Sequence, residues 1–351
     1  MAEEPRNSAH ELLRLVAMFL IVWYHLISYY LYLIPHSAKY DSFLEATLPS
    51  LHIGVILFVL ISGYWGIKPS IKGFSKLLAI TAILYLPLEL MQCATGGGNL
   101  VKTLMFITNT PYWFIRTYLF LYLISPILNT FLKNTHQSKI NIVLAAMSII
   151  CLYFGTTQGD PSLNDGKNIT NFMFLYLLGK TIHNYKSKWE NIPKIAIISC
   201  ILVLNATIFF LLLYHNSRDF LWSISMPYCS PLLIINASLV FILFSQLHLS
   251  SKLVNNLAKS VFAVYLIHCQ PIIHNLIILP TIEKISQKAF SHSFYEFSGG
   301  IGLCKVLVFS YTAASALIIM AGCIIFNKSL IPIWLLGEKM YNLFYKKFLE
   351  K

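Results

Sequence analysis

The sequence predicts an all-α membrane protein, a polytopic bundle of about ten transmembrane helices. Three observations carry that prediction. Hydrophobic residues make up 57% of the chain and charged residues only 11%, with a mean hydropathy of +0.66; a soluble domain carries about 25% charged residues. The apolar residues fall in runs mostly of the length, roughly 17–25 residues, that spans a hydrocarbon core as a helix. Lys and Arg gather in alternate connecting segments. Residues 1–351 read as a single transmembrane domain, with no sequence left over for a large soluble one.

The expected spans lie near 10–34, 48–67, 73–95, 111–132, 139–155, 169–183, 195–215, 225–247, 259–281 and 303–326. The first reads as a span rather than a signal peptide, because no small-residue cleavage site follows it and it contains Arg14 and His25. The segment at 169–183 is short for a core of roughly 30 Å, so it is expected to be tilted, kinked or buried within the bundle. Pro87, Pro126, Pro231 and Pro271 fall inside or near spans. Kinks and unwound turns are tolerated there when neighbours satisfy the backbone.

Ten spans put both termini on one side. That side would hold 18 of the 26 Lys and Arg residues and the other side six, with Arg116 and Lys305 in or at span ends. The excess orients the termini toward the cytoplasm. It also accounts for the net charge of +12 without a nucleic-acid partner; the basic loops face the anionic headgroups of the lipid bilayer. The seven cysteines are scattered with no CxxC spacing, so no disulfide framework and no metal site is expected. Gly96, Gly97 and Gly98 form an outer loop, not a phosphate cradle, because the strand–helix context is missing. The absence of GxSxG and HExxH removes support for soluble-hydrolase chemistry.

The most informative segment is HELLRLVAMFLIVWYHLISYY at 10–30. Arg14 and His25 are eleven residues apart. At 100° per residue that spacing returns to the same helical face, roughly 16 Å along the axis. Ionisable groups in a hydrophobic span are costly unless a partner or a water-filled cavity receives them. The pair therefore reads as a charged mouth with a titratable group deeper inside.

The chain resembles the acyltransferase-3 family, membrane enzymes that O-acylate surface glycans and related acceptors. Five segments carry the resemblance, in family order. They are R-x10-H at Arg14 and His25, then F-x-x-x-S-G-Y at Phe58, Ser62, Gly63 and Tyr64. A basic stretch, IKPSIKGFSKLL, comes next, followed by PYWFIRTYLFLYLISPILN (111–129). The fifth is the late Y-L-x-H segment in SVFAVYLIHCQPII (260–273). The family usually has arginines in an R-x-x-R arrangement at the mouth of the third span. This chain has Lys72 and Lys76 instead, and lysine lacks the planar bidentate phosphate contact.

The resemblance implies a bacterial cytoplasmic (inner) membrane enzyme of the stand-alone membrane form, with an acyl-CoA donor, acetyl-CoA foremost. It also implies an acceptor hydroxyl on a surface or lipid-linked glycan. His25 is expected to be the catalytic residue, as general base or as carrier of a transient acyl group; its bland alternative is a buried histidine bonded to a neighbouring helix. Arg14, with Lys72 and Lys76, is expected to hold the coenzyme A phosphates. Arg14 otherwise snorkels to the headgroups, and the lysines otherwise are ordinary cytoplasmic charges. Glu89 and Arg116 form either a structural ion pair or, with Trp113, a mouth for the glycan. Trp113 is otherwise an interfacial belt residue. His268 either faces the His25 cavity or is a satisfied core histidine, and Ser62 with Gly63 either lines the site or permits close helix packing. Two other classes compete. A transporter or flippase would use the buried Arg and His for proton or substrate passage, and a structural membrane subunit would tolerate their loss.

Overall fold

The computed structural model describes residues 7–33, 41–107, 112–153, 164–214, 218–290, 301–334, 337 and 339. Asn7 starts the first helix, its Oδ1 accepting from the Ala9 and His10 amides at 3.0 and 3.2 Å. That carboxamide satisfies two of the donors every helix N-terminus leaves free. The helix, α1 (Ser8–Leu33), is followed by α2 (Asp41–Leu51), α3 (Gly54–Trp65), α4 (Ile71–Ala94), α5 (Leu100–Leu104) and α6 (Trp113–Asn134). Next come α7 (Gln137–Leu152), α8 (Ile169–Asn184), α9 (Lys186–Trp189), α10 (Lys194–Tyr214), α11 (Arg218–Ser225) and α12 (Pro231–Ser245). The chain continues through α13 (Lys252–Ala258), α14 (Val261–His268), α15 (Pro271–Ile273), a π-helical stretch (His274–Ile278), α16 (Leu279–Phe290) and α17 (Ile301–Ser329). No strand occurs among the described residues.

Among the described residues, six helical stretches are long and apolar enough to cross a membrane: Ser8–Leu33, Phe43–Trp65, Ile71–Ala94, Trp113–Asn134, Lys194–Tyr214 and Lys305–Ser329. A seventh span results if Lys252–His268 and Pro271–Ile285, bent by 74° at their junction, are taken together. The expected count of ten is therefore not reached among the described residues. The spans expected at 139–155, 169–183 and 225–247 correspond to α7, α8 and α12, of 16, 16 and 15 residues. Helices that short rise only about 24 Å, less than the hydrocarbon core. The expectation that 169–183 lies inside the bundle holds: Phe172, Leu175, Tyr176 and Leu177 of α8 are all buried.

α8 is buried because it lies backbone to backbone on α3. A Cβ on Gly63 would collide with the Tyr176 carbonyl, and one on Gly179 with the Leu60 carbonyl. This is the small-residue packing that Ser62–Gly63 suggested. The turn after α3 is sealed by side chains. Gly66 takes φ +75°, where a side chain would be strained. The Tyr176 hydroxyl accepts from the Ile67 amide at 2.9 Å, Asn129 donates to the Ile67 carbonyl at 2.9 Å, and the Tyr122 hydroxyl accepts from the Ser70 amide at 2.9 Å. Backbone that leaves a helix is thus satisfied by neighbours. α10 and α12 are joined by a reciprocal amide pair, Asn205 with Asn236, at 3.0 and 3.1 Å. α1 runs through the middle of the assembly, packing on α2, α3, α12, α13, α14, α16 and α17.

Candidate functional site

Three interruptions of helical backbone meet beside the middle of α1. One is the break between α2 and α3 at His52 and Ile53; a second is the bend after His268; a third is the turn at Met226–Ser230 that precedes α12. Irregular backbone at membrane depth is tolerated where it is buried in protein or lines a cavity. Here it does the latter. A cavity of about 240 Å³ is bordered by His25, Tyr24, Tyr29, His52, Trp113, Phe114, Tyr228, Tyr265 and Cys269, among others.

The breaks are held by side chains. The ring of His52 donates from Nδ1 to the Met226 carbonyl at 2.7 Å and stacks on Tyr24, with ring centroids 4.4 Å apart. The Tyr112 hydroxyl donates to the Leu266 carbonyl at 3.0 Å. Gln270 caps the next helix by accepting from the Ile273 amide at 2.8 Å, and donates to Glu89 Oε1 at 3.2 Å.

His25 and His268 are hydrogen-bonded, Nδ1 to Nε2 at 3.0 Å. The donor can be assigned by exclusion. His268 Nδ1 lies 2.8 Å from the Val264 carbonyl, which can only accept, so that nitrogen carries the His268 proton. His268 Nε2 therefore has the lone pair, and His25 Nδ1–H donates to it. The other nitrogen of His25, Nε2, is then a base. The Cys269 thiol also approaches His268 Nε2, at 3.3 Å. His25 Nδ1, His268 Nε2 and Cys269 Sγ lie within 4.8 Å of one another, the one trio among the described residues that could hold a metal ion.

A second cavity, about 1110 Å³, lies toward the start of α1. Arg14, Lys76, Lys252 and Lys259 border it, with a single carboxylate, Glu11. Arg14 is ion-paired to Glu11 at 2.5 Å, and Glu11 is buried. Four cations to one carboxylate leave this chamber basic. The two cavities share Ile21, Val55, Phe114 and Tyr265 as walls, so those four side chains stand between the Arg14 chamber and the His25 chamber.

The expected site residues divide. Arg14 and Lys76 border the large chamber, as does Ser62, whose hydroxyl is engaged by the Phe58 carbonyl at 2.9 Å and Tyr118 at 3.2 Å. His25 and Trp113 border the small one, with His268 behind His25. Lys72 does not reach the Arg14 chamber. It borders a separate groove of about 350 Å³ with Lys76, Lys259, Phe262 and Trp334. Of the two readings of Glu89 and Arg116, the ion pair does not form; Glu89 is bonded to Gln270, and Arg116 borders none of these three cavities. His52, Tyr24, Tyr228, Lys252 and Lys259 join the two chambers without having been expected from the sequence. His52 was open to the same argument as His25, an intramembrane histidine, and it follows Pro49 closely.

The fold and site define an all-helical integral membrane protein with a basic chamber leading to a histidine in its interior. Residues 7–328 match the family model described as an acyltransferase domain, and the chain belongs to the acyltransferase-3 family. No curated protein and no solved structure matches it. The protein is a membrane acyltransferase.

Proposed function

We propose that the protein transfers an acyl group from an acyl-CoA, acetyl-CoA foremost, to a hydroxyl of a surface or lipid-linked glycan at the bacterial cytoplasmic membrane. The observation that carries this reading is the pair of abutting chambers. One is basic and roomy, suited to the phosphates of coenzyme A; the other is small, aromatic and contains His25. The donor enters from the cytoplasm, its phosphates among Arg14, Lys76, Lys252 and Lys259. Its pantetheine arm passes Ile21, Val55, Phe114 and Tyr265 and brings the thioester to His25. The sugar meets Trp113, Tyr228 and Tyr24, whose aromatic faces suit a pyranose ring.

The chemistry follows from the tautomer. The Val264 carbonyl fixes the His268 proton on Nδ1, and His268 in turn fixes the His25 proton on Nδ1. His25 Nε2 takes the acceptor proton as the oxygen attacks the thioester carbonyl. The tetrahedral intermediate then collapses, and the departing thiolate of coenzyme A takes the proton back from the imidazolium. A neutral imidazole suits this role near pH 7. A base of this kind contributes about 10²–10⁴-fold.

Mass spectrometry of surface glycans from cells with and without the gene tests the reading. An acyl group missing without the gene, and restored by wild type but not by His25→Ala, is the expected result. Identical acylation in all three would overturn it.

A further inference from the structure

Three metal-binding donors converge where the α14 helix breaks. His25 Nδ1 and His268 Nε2 are 3.0 Å apart, and Cys269 Sγ is 3.3 Å from that same Nε2. All three atoms lie within 4.8 Å of one another. Around one ion with metal–N near 2.0 Å and metal–S near 2.3 Å, neighbouring ligand atoms sit about 3.3–3.8 Å apart. Small side-chain rotations bring the trio to that spacing. His268 is already oriented as metal-binding histidines are: its other ring N–H is held by a backbone carbonyl, that of Val264, at 2.8 Å.

We propose that His25, His268 and Cys269 form a binding site for a soft monovalent cation, Cu⁺, and that its occupation switches off acyl transfer. Thiolate and imidazole are the ligands that suit Cu⁺ and Zn²⁺. The interior decides between the two. Two neutral imidazoles and one thiolate around Cu⁺ make a neutral complex, whereas Zn²⁺ leaves a net positive charge in a setting where charge is costly. Binding releases the Cys269 thiol proton to water, and no electron is transferred. Because His25 offers Nδ1 to the ion, its ring proton must sit on Nε2. The lone pair that would accept the hydroxyl proton is then gone. The inhibition rests on the proposed role of His25 as base; the binding does not.

The expectation of no metal site came from cysteine spacing, which cannot see this trio. His25 and His268 are 243 residues apart, and it is the packing of α14 on α1 that brings them together.

The test uses purified full-length protein in nanodiscs, titrated anaerobically with Cu⁺ against a chromogenic Cu⁺ chelator and, separately, with Zn²⁺. One Cu⁺ per chain is expected, bound more tightly than Zn²⁺. Cys269→Ser, Cys269→Ala and His268→Ala, each checked for an unchanged thermal unfolding midpoint, should weaken it by at least about 10–100-fold, the loss that even supporting residues of a metal site produce. Co²⁺ as a spectroscopic probe should give a thiolate charge-transfer band in wild type that disappears in Cys269→Ser; a merely structural cysteine would give none. Acyl transfer by wild type should fall in step with Cu⁺ occupancy, while whatever activity Cys269→Ser retains should be insensitive to Cu⁺. Absence of stoichiometric binding, tighter Zn²⁺ binding, or affinity unchanged in the variants would overturn the Cu⁺ site. Occupancy without loss of activity would overturn the switch and count against His25 as the base, leaving the site itself standing.

Discussion

α1 carries two histidines in unlike surroundings. His10 is buried, and both its nitrogens are engaged: Trp65 donates to Nδ1 at 3.1 Å, and Nε2 meets the Ser245 hydroxyl at 2.8 Å. Its ring is packed against Tyr64, Trp65 and Phe241, with centroids 5.1, 5.5 and 5.1 Å away. His25 has one nitrogen engaged, by another histidine, and borders a cavity. One helix thus holds a histidine with no proton chemistry left to do and a histidine with a lone pair to spare. An intramembrane histidine is a functional candidate by default; what separates the two is the number of unsatisfied nitrogens beside open space.

Exchanging each for alanine should break the two regions in opposite ways. His25→Ala should lower acyl transfer by about 10²–10⁴-fold, the usual worth of a general base, with little change in thermal unfolding. His10→Ala should cost roughly 2–5 kcal/mol of stability, because it opens a cavity among aromatic rings and orphans the Trp65 N–H, while folded molecules keep their turnover. Comparable loss of activity per folded molecule in both would erase the distinction. Capture of an acyl group on wild type but not on His25→Ala would shift His25 from base to covalent carrier.

His268 sharpens the comparison, since it engages only Nδ1 of His25 and leaves Nε2 open, where Trp65 and Ser245 engage both nitrogens of His10. His268→Ala should lower kcat by about 10- to 150-fold, the loss of one hydrogen bond of roughly 1.5–3 kcal/mol to a group that becomes charged, with donor affinity unchanged. A rise in KM with kcat intact would make it a wall of the binding site instead.

Arg14 is harder to read by substitution, because removing it also takes away a cation paired with the buried Glu11 carboxylate. Arg14→Ala should weaken acyl-CoA binding by about 10- to 150-fold, and Arg14→Lys only partly restore it. The double variant Glu11→Gln/Arg14→Ala should recover stability but not affinity. Affinity that recovers with stability would reduce Arg14 to a structural partner of Glu11. The smallest effect is expected at Lys72, in the neighbouring groove: Lys72→Ala should change donor affinity less than Lys76→Ala, and less still at high salt, where exposed charges are screened.

What was legible in the sequence was what helical periodicity controls. Eleven residues return to one helical face, so spacing alone relates Arg14 to His25. Close packing at Gly63 was legible as one of two readings, from the small residues Ser62 and Gly63 side by side. The rest depends on breaks and on neighbours distant in the chain. Apolar runs read as spans whatever the length of the helix they form, and α7, α8 and α12, of 16, 16 and 15 residues, are shorter than the stretches that are long and apolar enough to cross. Glu89 and Arg116 were paired because they were the sharpest charges left in the membrane, yet the uncharged Gln270, brought in by the bend at Pro271, holds Glu89. Lys252 and Lys259 were counted as topogenic charges, and no local pattern shows that α13 lies against α1 beside Arg14.

The proposed reaction turns on the donor lying across both chambers with its reactive end at His25. Electron cryomicroscopy of the protein in nanodiscs, saturated with a non-cleavable thioether analogue of the acyl-CoA, would show this in one experiment. Phosphates are expected among Arg14, Lys76, Lys252 and Lys259. The acyl end is expected beyond Ile21, Val55, Phe114 and Tyr265, within about 3–3.5 Å of where the hydroxyl activated by His25 Nε2 would attack. Density for the analogue in the Lys72–Trp334 groove, or an acyl end left in the large chamber with His25 out of reach, would refute it.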